Sequence, residues 1–320
     1  MHAQIPNPLD TLTESGPLSF VQGQSDYRIR TTMNRTGSNR QDSERNTKCG
    51  ARRAVRLILI LFLATFALPA MAQTLSPQFD LSRSKDEIVR KLNRRISDMS
   101  TMPFNSSLVF GEGIEHTFGY TLNFEPVISF PMGPDWLVLT RVEMPVVYKE
   151  QRSSGTSLGL GDTEVTLLFA SKEPRKGWSW GFGQFWVTPT ATREDLGQSK
   201  WGAGPATAIA HEDENWTIGT RLNHVWSFAG PGSNSLNDTF INPWITRAWK
   251  GGVTLKLESE STYKWNASEW DIPVELGASK LIMAGNQPLN IGGDVVYYAK
   301  RVPNAPTWGV RFTLNLVFPK

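Results

Sequence analysis

From Val310 to Phe318, apolar Val310, Phe312, Leu314, Leu316 and Phe318 alternate with Arg311, Thr313 and Asn315, the period-two pattern of a strand with one apolar and one polar face. Residues 117–130 repeat it. Phe118, Tyr120, Leu122, Phe124, Pro126, Ile128 and Phe130 stand against Thr117, Gly119, Thr121, Asn123, Glu125 and Ser129, with only Val127 out of place. Likewise Val253, Leu255, Leu257, Tyr263 and Trp265 oppose Lys256, Glu258, Glu260 and Lys264. Read along the chain, the alternation predicts twelve strands, at about 104–112, 117–130, 136–149, 158–170, 178–191, 200–211, 216–228, 238–248, 253–265, 268–282, 289–299 and 307–318. They would cover about 61% of residues 73–320, far above the roughly 20–25% strand of a soluble domain. The expected fold is therefore all-β, a transmembrane antiparallel β-barrel of about 12 strands over 104–320, with both termini on one side.

Strand length agrees: twelve residues rising about 3.3 Å each and tilted near 45° cover about 28 Å, the thickness of a membrane's hydrocarbon core. The polar parity carries Glu125, Arg141, Glu143, Asp162, Glu164, Arg221, Lys256, Glu258, Glu260, Asp271, Glu275, Asp294 and Arg311. That is too many charges for the core of a soluble sandwich, and it fits a barrel with apolar residues outward and charges lining a lumen. Trp136, Trp178 and Trp216 follow short polar turns, while Tyr148, Trp201, Trp226, Trp265, Trp270 and Trp308 fall near the opposite strand ends, so two aromatic girdles are expected. If the tight turns are periplasmic, the outer loops are only slightly longer.

Ahead of the barrel the period changes. Ser84, Asp86 and Glu87 resemble a capping box, and Ile88, Leu92, Ile96 and Met99 follow at helical spacing until Pro103. This predicts a short N-terminal amphipathic helix within 73–103. Its polar face, Arg90, Lys91, Arg94 and Arg95, suits either a plug in an acidic lumen or a solvated or membrane-surface leader helix. Further upstream, Arg52, Arg53 and Arg56 precede the apolar run Leu57 to Leu68 and then Pro69, Ala70, Met71 and Ala72. These are the three parts of a cleavable secretory signal, too short in its apolar run to span a membrane as a helix. Residues 1–72 therefore read as leader and signal peptide, with Gln73 as the mature N-terminus. The polar stretch 1–50 exceeds a usual signal n-region, which is compatible with a start at Met33 or later.

Charge follows this division. Residues 1–72 hold nine Lys and Arg against five Asp and Glu, and residues 73–320 hold 24 against 25. The sequence pI near 8.9 belongs to the leader, so it gives no support for nucleic acid as a partner. The single Cys49 lies upstream of the apolar run, which leaves the exported part without disulfides, thiolate metal sites or a Cys nucleophile. Of the four His, at 2, 116, 211 and 224, none forms a metal-binding spacing, and no cofactor is called for. The stretches Gly159–Leu160–Gly161–Asp162 and Gly202–Ala203–Gly204–Pro205 open no helix, so they read as strand glycines at bends or crowded points.

The segments GLGDTEVTLLFAS, WSWGFGQFWVTPTAT, GQSKWGAGPA, NHVWSFAG, TFINPWITRAWKGGVTLKLESESTYKW, VELGASK and WGVRFTLNLVFPK resemble the bacterial MetA-pathway of phenol degradation family, whose members are outer-membrane-type proteins often called transporters. The likeness runs over about 104–320. It implies a barrel and passage of small molecules, aromatic or hydrophobic ones among them, and it carries no catalytic residue over. One departure from the general outer-membrane pattern is that Pro319 and Lys320 follow the last aromatic, Phe318.

The expected function is passive passage of small solutes through a charged lumen in the outer membrane, with outer-membrane lipid and the solute as partners. The alternatives are a lipid-active, phospholipase-like barrel enzyme and a structural barrel. Against lipolysis, His224 and Ser227 are three residues apart and so on opposite faces of one strand.

Overall fold

The structure, a computed structural model, describes residues 81–112, 117–151, 155–231, 235–303 and 305–319. The leader predicted over 1–72, together with Cys49, His2 and His116, lies outside these residues. One helix, α1 (Leu81–Arg94), precedes β1 (Ser100–Glu112), β2 (Thr117–Phe124), β3 (Val127–Met132), β4 (Trp136–Gln151), β5 (Gly155–Leu160), β6 (Thr163–Ser171) and β7 (Trp178–Thr188). A short 3₁₀ turn (Glu194–Leu196) leads to β8 (Trp201–Asp213), β9 (Trp216–Ala229), β10 (Asn237–Trp249), β11 (Val253–Ser259), β12 (Ser261–Lys264), β13 (Glu269–Ala284), β14 (Gln287–Lys300) and β15 (Trp308–Phe318).

The segments β2 and β3, β5 and β6, and β11 and β12 are each one strand interrupted by a local break, so the sheet has the twelve staves that the alternation predicts. Every neighbour pair is antiparallel, and β15 pairs β1 from Ser100↔Phe318 to Phe110↔Trp308. That seam closes the sheet and removes the open edges on which a flat sheet would aggregate. Apolar residues of one parity face out: Phe130, Phe182, Leu276 and Val295 are each more than half exposed. No helix among the described residues is long and apolar enough to cross a membrane. The strands do the crossing, and the molecule is a transmembrane antiparallel barrel.

Aromatic rings mark both rims. Trp136, Trp178, Trp216 and Trp249 stand at the tight-turn end, where the Arg247 guanidinium lies 5.2 Å from the Trp216 ring and 5.1 Å from that of Trp249. Trp201, Trp226, Trp265 and Trp308 stand at the other. Such rings have an apolar body and a polar edge, which is why they settle at the membrane interface.

The predicted helix is shorter than its spacing suggests. It ends at Arg94, and Ser84, expected as its cap, lies within it. Arg95 takes φ +60°, a left-handed conformation that a non-glycine residue adopts at a cost of about 1–3 kcal/mol. This turn sends Ile96 and Met99 out of the helix, and strand starts at Ser100 with Pro103 inside it. The reason is tertiary. Ile88, Val89 and Met99 pack with Leu281 of β13 and Val317 of β15, whereas Ile96 packs with Leu137, Leu139, Leu168 and Ala208 on the β4–β8 part of the wall. A straight helix could not serve both clusters. Val127, out of place in the alternation, packs against the Ile96 cluster.

Candidate functional site

The interior of the barrel carries the charged parity, and its strands fix the spacing. Arg141 on β4 donates to Glu125 Oε2 at 2.6 Å and to Glu143 Oε2 at 3.4 Å. Asn105 and Asn123 donate to the remaining oxygens of those carboxylates at 2.8 and 3.1 Å. On the far side of the seam, Arg311 on β15 bridges Glu275 at 2.9 Å and Glu260 at 3.1 Å, and its Nε donates to Ser107 Oγ. Lys256 on β11 pairs with Asp294 at 3.0 Å and closely with Glu258. Each cation thus meets at least two carboxylates, which is how charges withdrawn from bulk water avoid the several-kcal/mol penalty of standing unpaired.

The remaining predicted positions behave differently. Arg221 lies 4.9 Å from the Phe240 ring centroid, and Glu164 is the register partner of Glu143. Asp162 is taken by a loop: its two oxygens accept the backbone N–H groups of Ala191, at 3.1 Å, and Gln198, at 2.5 Å. That loop, 189–200, follows β7, which ends at Thr188 instead of the expected 191. It presses on the wall at Gly159 and Gly161, where an added Cβ would run into Thr192, Pro145 and Leu196. Ser157 donates to Asp195 in the same loop. The Asp195 carboxyl is held below the ordinary aspartate range by hydrogen bonds from the Ser157 hydroxyl and the Arg193 guanidinium. The glycines are thus strand positions that admit a close neighbour, and Gly204 in β8 likewise approaches the carbonyl of His224.

The four basic residues of the predicted plug divide. Arg90 is exposed, and Lys91 pairs within its own segment, with Asp98 at 2.9 Å and Glu87 at 3.3 Å. Arg94 and Arg95 reach the barrel wall. Arg94 is buried, donates to the Ile96 carbonyl at 3.0 Å, and meets Glu212 of β8 at 3.4 Å. Arg95 donates to Asn242 Oδ1 at 2.9 Å and to Glu258 Oε2 at 2.5 Å, with its guanidinium 4.5 Å from the Trp244 ring centroid. Trp244 Nε1 donates in turn to the Asn93 carbonyl at 3.0 Å. Beside these contacts lies a cavity of about 260 Å³, lined among others by Arg95, Arg141, Arg221, Asn242, Glu258, Glu260 and Arg311.

Glu212, Asn242 and Trp244 were not among the expected site residues. Trp244 did leave a signal, since it is a large ring on the polar parity between Asn242 and Thr246. Glu212 and Asn242 left none, because polar side chains on an inward parity are what any lumen wall has.

His224 points outward. Its Nδ1 lies 2.7 Å from Thr239 Oγ1, which also accepts the Trp265 indole N–H at 2.8 Å. Its ring centroid lies 4.0 Å from that of Trp226 with the planes tilted by 53°, and its buried Nε2 has no hydrogen-bond partner. Ser227, whose hydroxyl accepts the Leu236 N–H at 2.9 Å, serves the loop between β9 and β10. The ring is thus a girdle member tied to a threonine and two indoles. Among the described residues no three His, Cys, Asp or Glu side chains are grouped to hold a metal.

No protein-family model matches the chain, and no curated protein does. Solved structures do. An outer membrane channel of the COG4313 type from Pseudomonas putida F1 superposes with a TM-score of 0.53 at 13% identity, covering 69% of this chain and 94% of that one. The NanC porin gives 0.47 at 12% identity over 68% of this chain and 100% of its own. Outer membrane phospholipase A from Escherichia coli gives 0.41 at 13% identity over 74% and 98%. The first likeness is one of fold, a closed membrane barrel, and the other two superpose too loosely to weigh.

Proposed function

We propose that this chain is a passive outer-membrane channel for small solutes, exported by a signal peptide within residues 1–72, with a plug-bearing segment from residue 73 up to the start of β1 at Ser100 and the barrel from there on. The observation that carries the reading is the interior itself: a closed wall lined by paired charges, with a cavity at its centre and an N-terminal segment inserted from the tight-turn end. A purely structural barrel would gain nothing from an interior of this kind, since a dry apolar core stabilises at least as well as buried ion pairs. The lumen-lining set is Glu125, Arg141, Glu143, Glu164, Arg221, Lys256, Glu258, Glu260, Glu275, Asp294 and Arg311, and Arg94 and Arg95 anchor the plug. The apolar cluster of Leu139, Leu168, Phe185, Val187 and Ala206 on the β4–β9 side of the interior gives the wall an apolar stripe. That stripe suits aromatic or hydrophobic solutes with a polar end, in line with the resemblance to the phenol-degradation family.

Planar-bilayer recording tests this. The full chain should show a small ionic conductance, and Arg94→Ala with Arg95→Ala should raise it severalfold by loosening the plug. Neutralising Glu258 and Glu260 together should shift selectivity toward anions. A barrel that stays silent in every variant, yet hydrolyses phospholipid in a His224-dependent way, would replace the channel with the lipid-active enzyme.

A further inference from the structure

We propose that Asn242, Trp244 and Glu258 form a binding site for guanidinium-bearing solutes, and that Arg95 occupies it as a tethered competitor. The site combines three chemistries that suit a flat, delocalised cation: a carboxylate oxygen, an amide oxygen and an indole face. All three come from the wall and not from the plug. Trp244 and Glu258 are register partners on β10 and β11, and Asn242 lies two residues before Trp244 on the same face. The sheet therefore positions them whether or not the N-terminal segment is present.

The hydrogen-bond pattern leaves a vacancy shaped like a guanidinium once Arg95 withdraws. Glu258 Oε1 is engaged by Lys256, whereas Oε2 takes Arg95 and, at 3.3 Å, the Asn242 amide. The Asn242 amide nitrogen also donates to the Ser259 carbonyl at 3.1 Å. Loss of Arg95 thus removes the donor from Asn242 Oδ1 and the stronger donor from Glu258 Oε2. With the three side chains only 0%, 3% and 5% exposed, the orphaned acceptors would favour a replacement with the same geometry. The 260 Å³ cavity touches Arg95, Asn242, Trp244 and Glu258 together, so a solute in the lumen reaches the site directly. Charge favours the same class. The eleven charged positions of the lumen-lining set hold seven carboxylates and four cations, which concentrates cations in the pore.

The inference deepens the channel reading for solute class but is tested without it. The full chain, folded in detergent micelles, is titrated calorimetrically with agmatine, and with butylurea as its uncharged counterpart. Arg95→Ala should bind agmatine at least about tenfold more tightly than the unaltered chain and show no such gain for butylurea. Adding Glu258→Gln or Trp244→Leu to Arg95→Ala should remove most of the gain. Equal binding by Arg95→Ala and the unaltered chain, or a gain that survives both second substitutions, overturns the proposal. Should Arg95→Ala fail to fold, hydrogen exchange on the unaltered chain decides: saturating agmatine should speed exchange in residues 92–99 as Arg95 is displaced, and unchanged rates overturn the site. Agmatine binding in this pattern by a barrel that does not conduct would refute the channel and keep the site, and conduction without the gain would do the reverse.

Discussion

A single position shows how far the facing of a side chain decides its role here. Leu257 and Glu258 are neighbours on β11, one 45% exposed to the outside and the other buried on the interior. Leu257→Arg should cost about 2–4 kcal/mol, because it puts a charge against the hydrocarbon near mid-strand. Read from the sequence, Glu258→Gln is nearly silent for folding, since a lumen glutamate would face water. The structure revises this, because Glu258 is the shared partner of Arg95 and Lys256. A neutral amide keeps the shape and loses two charge-assisted bonds, worth about 1–3 kcal/mol in total for partly solvated cations. Urea unfolding in detergent or lipid measures both. If Glu258→Gln proves neutral, the Arg95 contact contributes nothing to the folded state.

The inward loop and the helix are the elements that alternation alone could not place. Loop 189–200 lies against Gly159 and Gly161 because those residues have no side chain to exclude it. Gly159→Val should push the loop off the wall and leave the barrel intact. Trypsin cleavage after Arg193 in the barrel folded in detergent micelles should then become several times faster, and an unchanged rate would mean the loop is held elsewhere. Acid should act on the same latch. The Asp195 carboxyl has its pKa lowered in the folded state by Ser157 and Arg193. Its contribution is therefore present above the ordinary aspartate value of about 3.9 and fades as pH falls through the lower folded value. Amide exchange around Leu196, corrected for the intrinsic rate, should thus lose protection only once the pH has fallen below the ordinary aspartate value, while the strands stay protected. Retained protection at acid pH would show that Asp162 and packing hold the loop without Asp195.

For the whole molecule, closure is the governing fact. The β15–β1 seam joins residues some 200 positions apart, so the barrel completes only when its last strand meets its first. Arg311 and Ser107, and Thr313 and Asn105, bond across that seam at 3.2 and 2.7 Å, which sets register as well as closure. The proposed processing belongs to this scale, because a retained signal segment would remain tethered to α1. Mass spectrometry of membrane-extracted protein should find Gln73 at the N-terminus, since Ala70 and Ala72 fit the signal-peptidase pockets. An intact Leu57–Leu68 segment would refute that processing.

Which face each strand turns to the membrane, and how many strands there are, was already written in the alternation of residues such as Val310 to Phe318, because a side-chain period of two has one interpretation once one face is apolar. The aromatic rims and the lumenal charges followed from the same parity. Tertiary structure alone decided what those charges touch. Arg95, expected on the polar face of a continuous helix, leaves the helix and meets Asn242 and Glu258 across some 150 residues of chain. Asp162, expected to line the lumen, instead holds a loop. Periodicity reports which direction a side chain points, whereas pairing depends on how the closed wall brings distant segments together, and no local pattern in the chain encodes that distance.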